Sequence, residues 1–146
     1  MNERILILDD DESVCDILGN YLKSRGYDCL TTTSPFEALE LLKDKGIALL
    51  LADIRMPRLN GTEVVRQAKG LDPDIAIVIV TALMEVTHAI QAMRMGADDY
   101  VLKPFNLSEI SLAVTRALEK RRLAIENRTY QEELSARVEA ATRLSL

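Results

Sequence analysis

The sequence predicts an α/β protein with a doubly wound fold, in which five helices flank a five-stranded parallel sheet. Short apolar runs of strand length alternate with segments of helical periodicity, which is the order typical of βαβ units. The third and fourth runs consist entirely of Leu, Ile, Val and Ala, as expected of strands buried on both faces. The 146 residues, 48% of them hydrophobic, are enough for one core and a modest extension.

Five short, largely apolar runs are predicted to be the strands. In chain order they are Ile5–Leu8, Asp28–Thr32, Ala48–Ala52, Ile75–Val80 and Tyr100–Leu102. The segments between them have the length and apolar spacing of helices, so successive strands are expected to be parallel.

Helix boundaries are predicted from capping residues and glycines. Ser34–Glu37 fits a capping box with Pro at the first helical position, and Asn106 offers a cap with Glu109 three residues later. The glycines expected where helices stop are Gly26, Gly46, Gly70 and Gly96. The predicted helices are Glu12–Arg25, Pro35–Lys45, Gly61–Lys69, Met84–Met95 and a fifth from Leu107 onward.

The last helix is expected to continue past the domain, because no Gly or Pro occurs from Leu107 to Leu144. We therefore divide the chain into a domain of residues 1–122 and an extended helix of residues 123–146. The a and d positions of a heptad can be assigned to Leu123, Asn127, Tyr130, Leu134, Ala141 and Leu144, with Arg137 as a misfit. This pattern favours a coiled-coil linker, and the alternatives are a helix folded back on the domain or a fraying end.

Composition excludes several classes of protein. The longest uncharged apolar stretch, Ile47 to Ala52, is too short to cross a bilayer, and the first residues do not resemble a signal peptide. We expect a cytoplasmic protein without membrane contact. A net charge of −5 makes a poor nucleic-acid surface, so no direct nucleic-acid contact is expected. Cys15 and Cys29 lack metal-ligand spacing and are expected to be core residues.

Polar residues follow four of the predicted strands. Asp9 and Asp10 follow the first, Asp53 the third and Thr81 the fourth, and Lys103 follows the fifth. Ligands of an open parallel sheet bind at the carboxyl ends of its strands, so these side chains are expected to converge. Clustered carboxylates repel one another unless a cation lies among them, and Mg²⁺ prefers oxygen ligands. An aspartate nucleophile, Mg²⁺, an ammonium and a hydroxyl are the groups that phosphoryl transfer uses.

Four segments resemble, in order and spacing, the motifs of the receiver domains of two-component response regulators. They are Leu6–Asp11, Leu51–Pro57, Val80–Ala82 and Asp99–Phe105. The resemblance covers residues 3 to 122 and implies a flavodoxin-like sheet. It also implies a phosphoprotein of a phosphorelay, phosphorylated by a sensor histidine kinase or a phosphotransfer protein. Such a protein is a signalling module that transfers the phosphoryl group to itself, and it is not expected to be an enzyme.

The resemblance assigns a role to each of the converging residues. Asp53 is the implied phosphoacceptor. Asp10, Asp53 and the backbone carbonyl of Arg55 are the implied direct Mg²⁺ ligands, and Asp9 is implied to hold metal-bound water. Lys103 would pair with the phosphoryl group.

The same resemblance implies a conformational switch. Thr81 would donate its hydroxyl to the phosphoryl group, Tyr100 would rotate inward, and the Lys103–Pro104 bond would be cis. The surface of the fourth helix, fifth strand and fifth helix would then change. Homodimers are expected through this surface or through the C-terminal helix. His88 is expected to be an ordinary surface residue.

Two alternatives concern function. A phosphohydrolase of the haloacid-dehalogenase type has a similar order of motifs, with Asp9 and Asp11 followed by Thr81 and Lys103, but it gives no role to Asp53. Within the receiver family, the chain is either a stand-alone relay or the input module of an output domain. The long last helix favours the input module.

Overall fold

The computed structural model describes residues 2–44, 46–56 and 58–145, with Ser145 described by its backbone alone. Strands and helices alternate along these residues. Their bounds are β1 Arg4–Leu8, α1 Glu12–Ser24, β2 Asp28–Thr32, α2 Pro35–Lys43, β3 Ile47–Asp53, α3 Gly61–Leu71, β4 Ala76–Ala82, α4 Val86–Arg94, β5 Asp99–Lys103 and α5 Leu107–Ser145. The predicted α/β class with five strands and five helices is confirmed within these ranges.

The strands form one parallel sheet in the order β2-β1-β3-β4-β5. The chain first moves outward from β1 to β2 and then returns past β1 to β3, so the winding direction reverses between β1 and β3. Leu8 at the end of β1 is in register with Ala52 near the end of β3. The residues that follow these two strands are therefore neighbours, at the place where ligands of such sheets bind.

Apolar side chains cover both faces of the sheet, as the sequence predicts. One core cluster packs α1 and α5 against the sheet through residues such as Leu18 and Val114. The other packs α2, α3 and α4 through residues such as Leu39 and Val64. Cys15 and Cys29 are buried free thiols, which confirms their prediction as core residues.

Both predicted capping motifs are present. Ser34 accepts a hydrogen bond from the Glu37 amide at 3.3 Å. Asn106 accepts one from the Glu109 amide at 2.9 Å, and its own amide group donates to the Glu109 carboxylate at 3.1 Å. These contacts satisfy amide groups in the first turn that have no partner within the helix.

Some predicted helix ends differ from the structure. Gly70 lies inside α3, which continues to Leu71, so the prediction that it ends the helix is wrong. The fourth helix was expected from Met84, but Leu83–Glu85 form a turn of 3-10 helix and α4 begins at Val86. Lys45, the predicted end of the second helix, lies outside the described residues, as does Pro57 of the second motif.

Helix α5 is a single element that exceeds the height of the sheet. Its first turns bury Ile110, Val114 and Leu118 against the core. Farther along, Arg128 still forms an ion pair with Asp74 in the loop before β4. No helix in the described ranges has the length and apolarity needed to cross a bilayer.

Candidate functional site

Three carboxylates meet where the winding of the sheet reverses. Asp9 and Asp10 follow β1, and Asp53 is the last residue of β3. One oxygen from each of the three carboxylates lies within 4.8 Å of the others. Asp9 and Asp53 are only 2% and 6% exposed, whereas Asp10 faces solvent. The site is therefore an acidic cluster of two buried carboxylates and one exposed carboxylate.

Local backbone contacts fix the two buried carboxylates. Oδ1 of Asp9 accepts a hydrogen bond from the Asp11 amide at 2.9 Å, and Oδ1 of Asp53 accepts one from the Arg55 amide at 3.0 Å. Both are turns in which an Asp side chain bonds the backbone two residues later. Each turn leaves the other oxygen, Oδ2, directed to the centre of the site.

Lys103 at the end of β5 supplies the positive charge of the site. Its Nζ lies 2.8 Å from Oδ2 of Asp53 and 3.6 Å from Oδ2 of Asp9. The ammonium thus spans from the edge strand across the end of β4 to both carboxylates. The peptide bond from Lys103 to Pro104 is cis, which confirms the prediction.

The electrostatics show an excess of negative charge. Burial, together with the charges of Asp53 and Asp10, raises the pKa of Asp9 to about 6, against the lowering effects of the Asp11 amide and Lys103. Burial disfavours the charged form of Lys103, yet the hydrogen bond and the charge of Asp53 raise the pKa of Lys103 overall. One ammonium does not offset three carboxylates. A divalent cation with oxygen ligands fits this donor set, because it would favour their charged forms.

Thr81 lies at the end of β4 and is fully buried. Its hydroxyl donates a hydrogen bond to the carbonyl oxygen of Ala82 at 3.2 Å rather than to any of the three carboxylates. This hydroxyl is therefore bonded to its own backbone, and Thr81 follows Val80, the residue of β4 that pairs with Asp53.

Tyr100 does not join the cluster. Its side chain lies on β5, is 47% exposed, and lines a surface cleft of ≈ 510 Å³ with Leu102 and Leu112. The ring is therefore directed outward, on the surface that β5 forms with α5.

Two residues near the site were not recognised from the sequence. A Cβ on Gly61 would lie 2.5 Å from the carbonyl oxygen of Ile54, so only glycine permits the loop after β3 to pack on the start of α3. Glu85 contacts both Arg55, at 3.9 Å, and His88, at 2.7 Å. The close approach of Gly61 to Ile54 is a tertiary contact, which a sequence pattern does not reveal. His88 is a surface residue, as expected.

The sequence profile of the family described as "Response regulator receiver domain" matches residues 5–115. This chain belongs to that family. Receiver domains are signalling modules that histidine kinases phosphorylate and that generally use Mg²⁺ at an acidic site. The match does not support the haloacid-dehalogenase alternative, and Asp11 of that alternative caps α1 through the Ser13 amide instead of joining the cluster.

Curated relatives include longer regulators. The transcriptional regulatory protein ZraR of Klebsiella oxytoca is 37% identical over 120 residues, covering 82% of this chain and 27% of ZraR. The response regulator SaeR of Staphylococcus aureus is 39% identical over 114 residues, covering 78% of this chain and 50% of SaeR. The chain is thus the receiver domain of a response regulator, and it spans half or less of the length of these relatives.

Solved structures agree with this assignment. A response regulator receiver domain protein from Clostridium thermocellum has a TM-score of 0.80 at 29% identity, covering 84% of this chain and 98% of the other. NtrX from Brucella abortus has a TM-score of 0.83 at 28% identity, covering 89% of this chain and 30% of NtrX. The receiver fold therefore extends over most of this chain.

Proposed function

We propose that Asp53 is the phosphoacceptor of this receiver domain. The observation that carries the proposal is the 2.8 Å contact between Lys103 and Oδ2 of Asp53, which places a cation on the carboxylate that would receive the phosphoryl group. Asp9 is less closely paired with the ammonium, since its Oδ2 lies 3.6 Å from Nζ of Lys103. Asp10 is exposed and has no comparable contact with Lys103 in the described structure.

In the proposed reaction, a carboxylate oxygen of Asp53 attacks the phosphorus of a phosphohistidine in a sensor kinase or a phosphotransfer protein. An O–P bond forms, the P–N bond breaks, and its electron pair remains on the histidine nitrogen. The product is an acyl phosphate on Asp53. The Lys103 ammonium lies 2.8 Å from the Asp53 carboxylate, so it can pair with this carboxylate before the transfer and with the phosphoryl oxygens after it.

The residues proposed to hold Mg²⁺ are Asp10, Asp53 and the backbone carbonyl of Arg55, with Asp9 acting through a metal-bound water. When bound, the ion supplies positive charge that offsets the charge of the phosphoryl oxygens. The Arg55 amide donates a hydrogen bond to Oδ1 of Asp53 and thereby orients this carboxylate.

Thr81 and Tyr100 are proposed to form the switch. The Thr81 hydroxyl would exchange the Ala82 carbonyl for a phosphoryl oxygen, and Tyr100 would leave its exposed position on β5. A pre-existing equilibrium would thereby shift and change the surface of α4, β5 and α5.

We further propose that the module works in the cytoplasm as the input of an output domain and forms a homodimer through α5 or through the surface of α4, β5 and α5. Two observations favour an input module over a stand-alone relay. The curated relatives are longer than this chain, and α5 continues far beyond the sheet.

Intact-protein mass spectrometry after incubation with acetyl phosphate and Mg²⁺ tests the acceptor. We expect one added phosphoryl group in the native chain and none in Asp53→Asn or in a metal-free sample. Asp11→Asn is the matched control, because Asn keeps the helix cap and the residue lies outside the cluster. A phosphoryl group on the Asp53→Asn chain, or its loss from Asp11→Asn with the fold intact, would overturn the assignment.

A further inference from the structure

A surface groove lies between α2 and α3, on the face of the sheet opposite to α5, and we name it the α2–α3 groove. Its volume is ≈ 520 Å³, and most of its lining is apolar. Phe36 of α2 and Leu71 of α3 line it and are 51% and 46% exposed, although both are large apolar side chains. Apolar surface gathered in one concave place costs free energy in water, and it is characteristic of a site where another molecule binds.

Glycine at position 70, which also lines the groove, is required neither by the backbone nor by packing within the described domain. The described glycines with a positive φ angle are Gly26, Gly46 and Gly96, so Gly70 has a conformation that other residues adopt. A Cβ at position 70 would meet no atom within 4 Å. Glycine in a helix costs stability relative to alanine, yet it permits a ligand to approach the backbone closely. A molecule that packs against α3 from outside the domain explains the glycine.

The rim of the groove along α2 is acidic. Glu37 lies in the first turn of α2, and Asp44, which lines an adjoining cleft of ≈ 300 Å³, caps its end. Among the described residues that line the groove and this cleft, Lys43 is the only base, and its ammonium lies 2.9 Å from Glu40. Glu37 and Asp44 are exposed and form no ion pair within the described part of the chain. Their separation of seven residues corresponds to about 10 Å along a helix, so the rim attracts bases with this spacing.

We propose that the α2–α3 groove binds an amphipathic helix of a separate protein. The apolar side of this helix packs against Phe36, Gly70 and Leu71, and two of its basic residues lie beside Glu37 and Asp44. The described lining of the groove belongs to helices alone, so an extended segment would find no strand edge with which to pair. A helix presents apolar residues three and four positions apart on one side and can carry bases seven positions apart on its flank. This spacing matches the apolar centre of the groove and the two acids of its rim.

The position of α5 favours a separate protein over a segment that follows α5. Helix α5 packs on the other face of the sheet through residues such as Val114 and continues from there to Ser145. A segment after α5 would begin on that side and would have to pass around the sheet to reach the groove. The groove also shares no residue with the carboxylate cluster, so the proposed contact is distinct from phosphoryl transfer.

Fluorescence anisotropy of a labelled peptide, titrated with the full chain, tests the groove. The probe is an alanine-based peptide of about 18 residues, long enough to be partly helical in water, with two lysines seven positions apart and two leucines between them. We expect binding that weakens by about tenfold or more when glutamates replace both lysines, because like charges then meet at the rim. A native chain that binds neither peptide, or both equally, would overturn the proposal.

Variants of the chain locate the contact. Gly70→Gln should weaken binding of the lysine peptide by about tenfold or more, because the new side chain fills the groove, while a better helix former keeps α3 stable. Phe36→Gln should also weaken binding, whereas Ile90→Gln, which replaces an apolar residue of similar exposure on α4, should not. Urea unfolding of Gly70→Gln distinguishes a filled groove from an unfolded chain. Unchanged binding by Gly70→Gln, or an equal loss in Ile90→Gln, would place the peptide elsewhere and contradict the proposal.

Sedimentation equilibrium of the native chain and of Gly70→Gln distinguishes a separate protein from a second copy as the occupant of the groove. The proposal expects the same average mass for both chains at each concentration. A lower mass for Gly70→Gln would assign the groove to a second copy of this chain and exclude the separate partner.

Discussion

The two ends of the sheet carry acidic residues in different ways. At the amino ends of the strands, acids are matched with bases in separate ion pairs. These are Asp28 with Arg4, Asp74 with Arg128, and Asp98 with Lys120. At the carboxyl ends, three carboxylates share Lys103, and two of the three are almost fully buried.

The pKa values of Asp74 and Asp9, one acid from each end, are shifted in opposite directions. The hydrogen bonds of Arg128 hold the pKa of Asp74 below its ordinary value. Burial raises the pKa of Asp9 to about 6. Acids that are each paired with an exposed base cost a folded protein little, whereas an uncompensated buried cluster is characteristic of a site that receives charge from outside. This difference separates the functional end from the end that attaches α5.

Replacing Lys103 at the carboxyl ends of the strands and Lys120 near their amino ends should give the largest difference, measured as the rate of phosphorylation. Lys103→Ala is expected to slow phosphorylation by acetyl phosphate by about 10²–10³, the range typical for loss of one charge-stabilising donor. Lys120→Ala removes a partly comparable contact with Asp98 at the other end and should leave the rate unchanged. Mass spectrometry over time measures both rates at saturating Mg²⁺.

Equal phosphorylation rates in Lys103→Ala and Lys120→Ala would contradict the assignment of the functional site to the carboxyl ends of the strands. They would show that the contact between Lys103 and Asp53 positions a side chain in the unphosphorylated state without assisting the transfer. Circular dichroism of each variant confirms that the fold is retained before the rates are compared.

Alanine substitutions of Gly61 and Gly70, near opposite ends of α3, should give a smaller effect, measured as the change in the free energy of unfolding. Gly61→Ala is expected to lower the free energy of unfolding by about 1–3 kcal/mol, because the new Cβ would lie 2.5 Å from the Ile54 carbonyl oxygen. Gly70→Ala meets open space inside the helix and should raise it by about 0.4–1 kcal/mol. Urea unfolding measures both changes. A destabilised Gly70→Ala, or an unchanged Gly61→Ala, would contradict this packing.

The residues that meet at the carboxyl ends of the strands could be predicted from the sequence more fully than the contacts at the amino ends. Asp9 and Asp53 directly follow apolar runs, so local order along the chain places them at strand ends. Parallel pairing then brings those ends together. Lys103 is identified in the same way, and the structure places all three in contact.

The attachment of α5 could not be predicted, because Asp74 and Arg128 are 54 residues apart and neither interrupts a periodic pattern. Gly70 was predicted to end α3 because glycine is a frequent helix terminator, but the capping that ends α3 comes from Asp72. Tyr100 was given a role by resemblance, and only the structure showed that its ring is exposed in this state.

The smallest expected effect concerns the pair of Asp74 and Arg128. Because Arg128 lowers the folded-state pKa of Asp74, the pair stabilises the fold above the unfolded-state pKa of an aspartate, about 3.9, and this contribution is lost as the pH falls through the lower folded value. Arg128→Gln should therefore shift the urea midpoint down at pH 7, and the shift should shrink toward zero in stronger acid. Both side chains are partly exposed, so the shift should be smaller than that of Gly61→Ala.

A double-mutant cycle isolates this contact from the rest of the charge on α5. In an Asp74→Asn chain, Arg128→Gln should have almost no further effect, because its partner carboxylate is already gone. If Arg128→Gln shifts the midpoint equally with and without Asp74, then Arg128 stabilises α5 through the helix itself, and the attachment of α5 to the domain would have to be sought at Arg121 and Ile125, which are partly buried nearer the core.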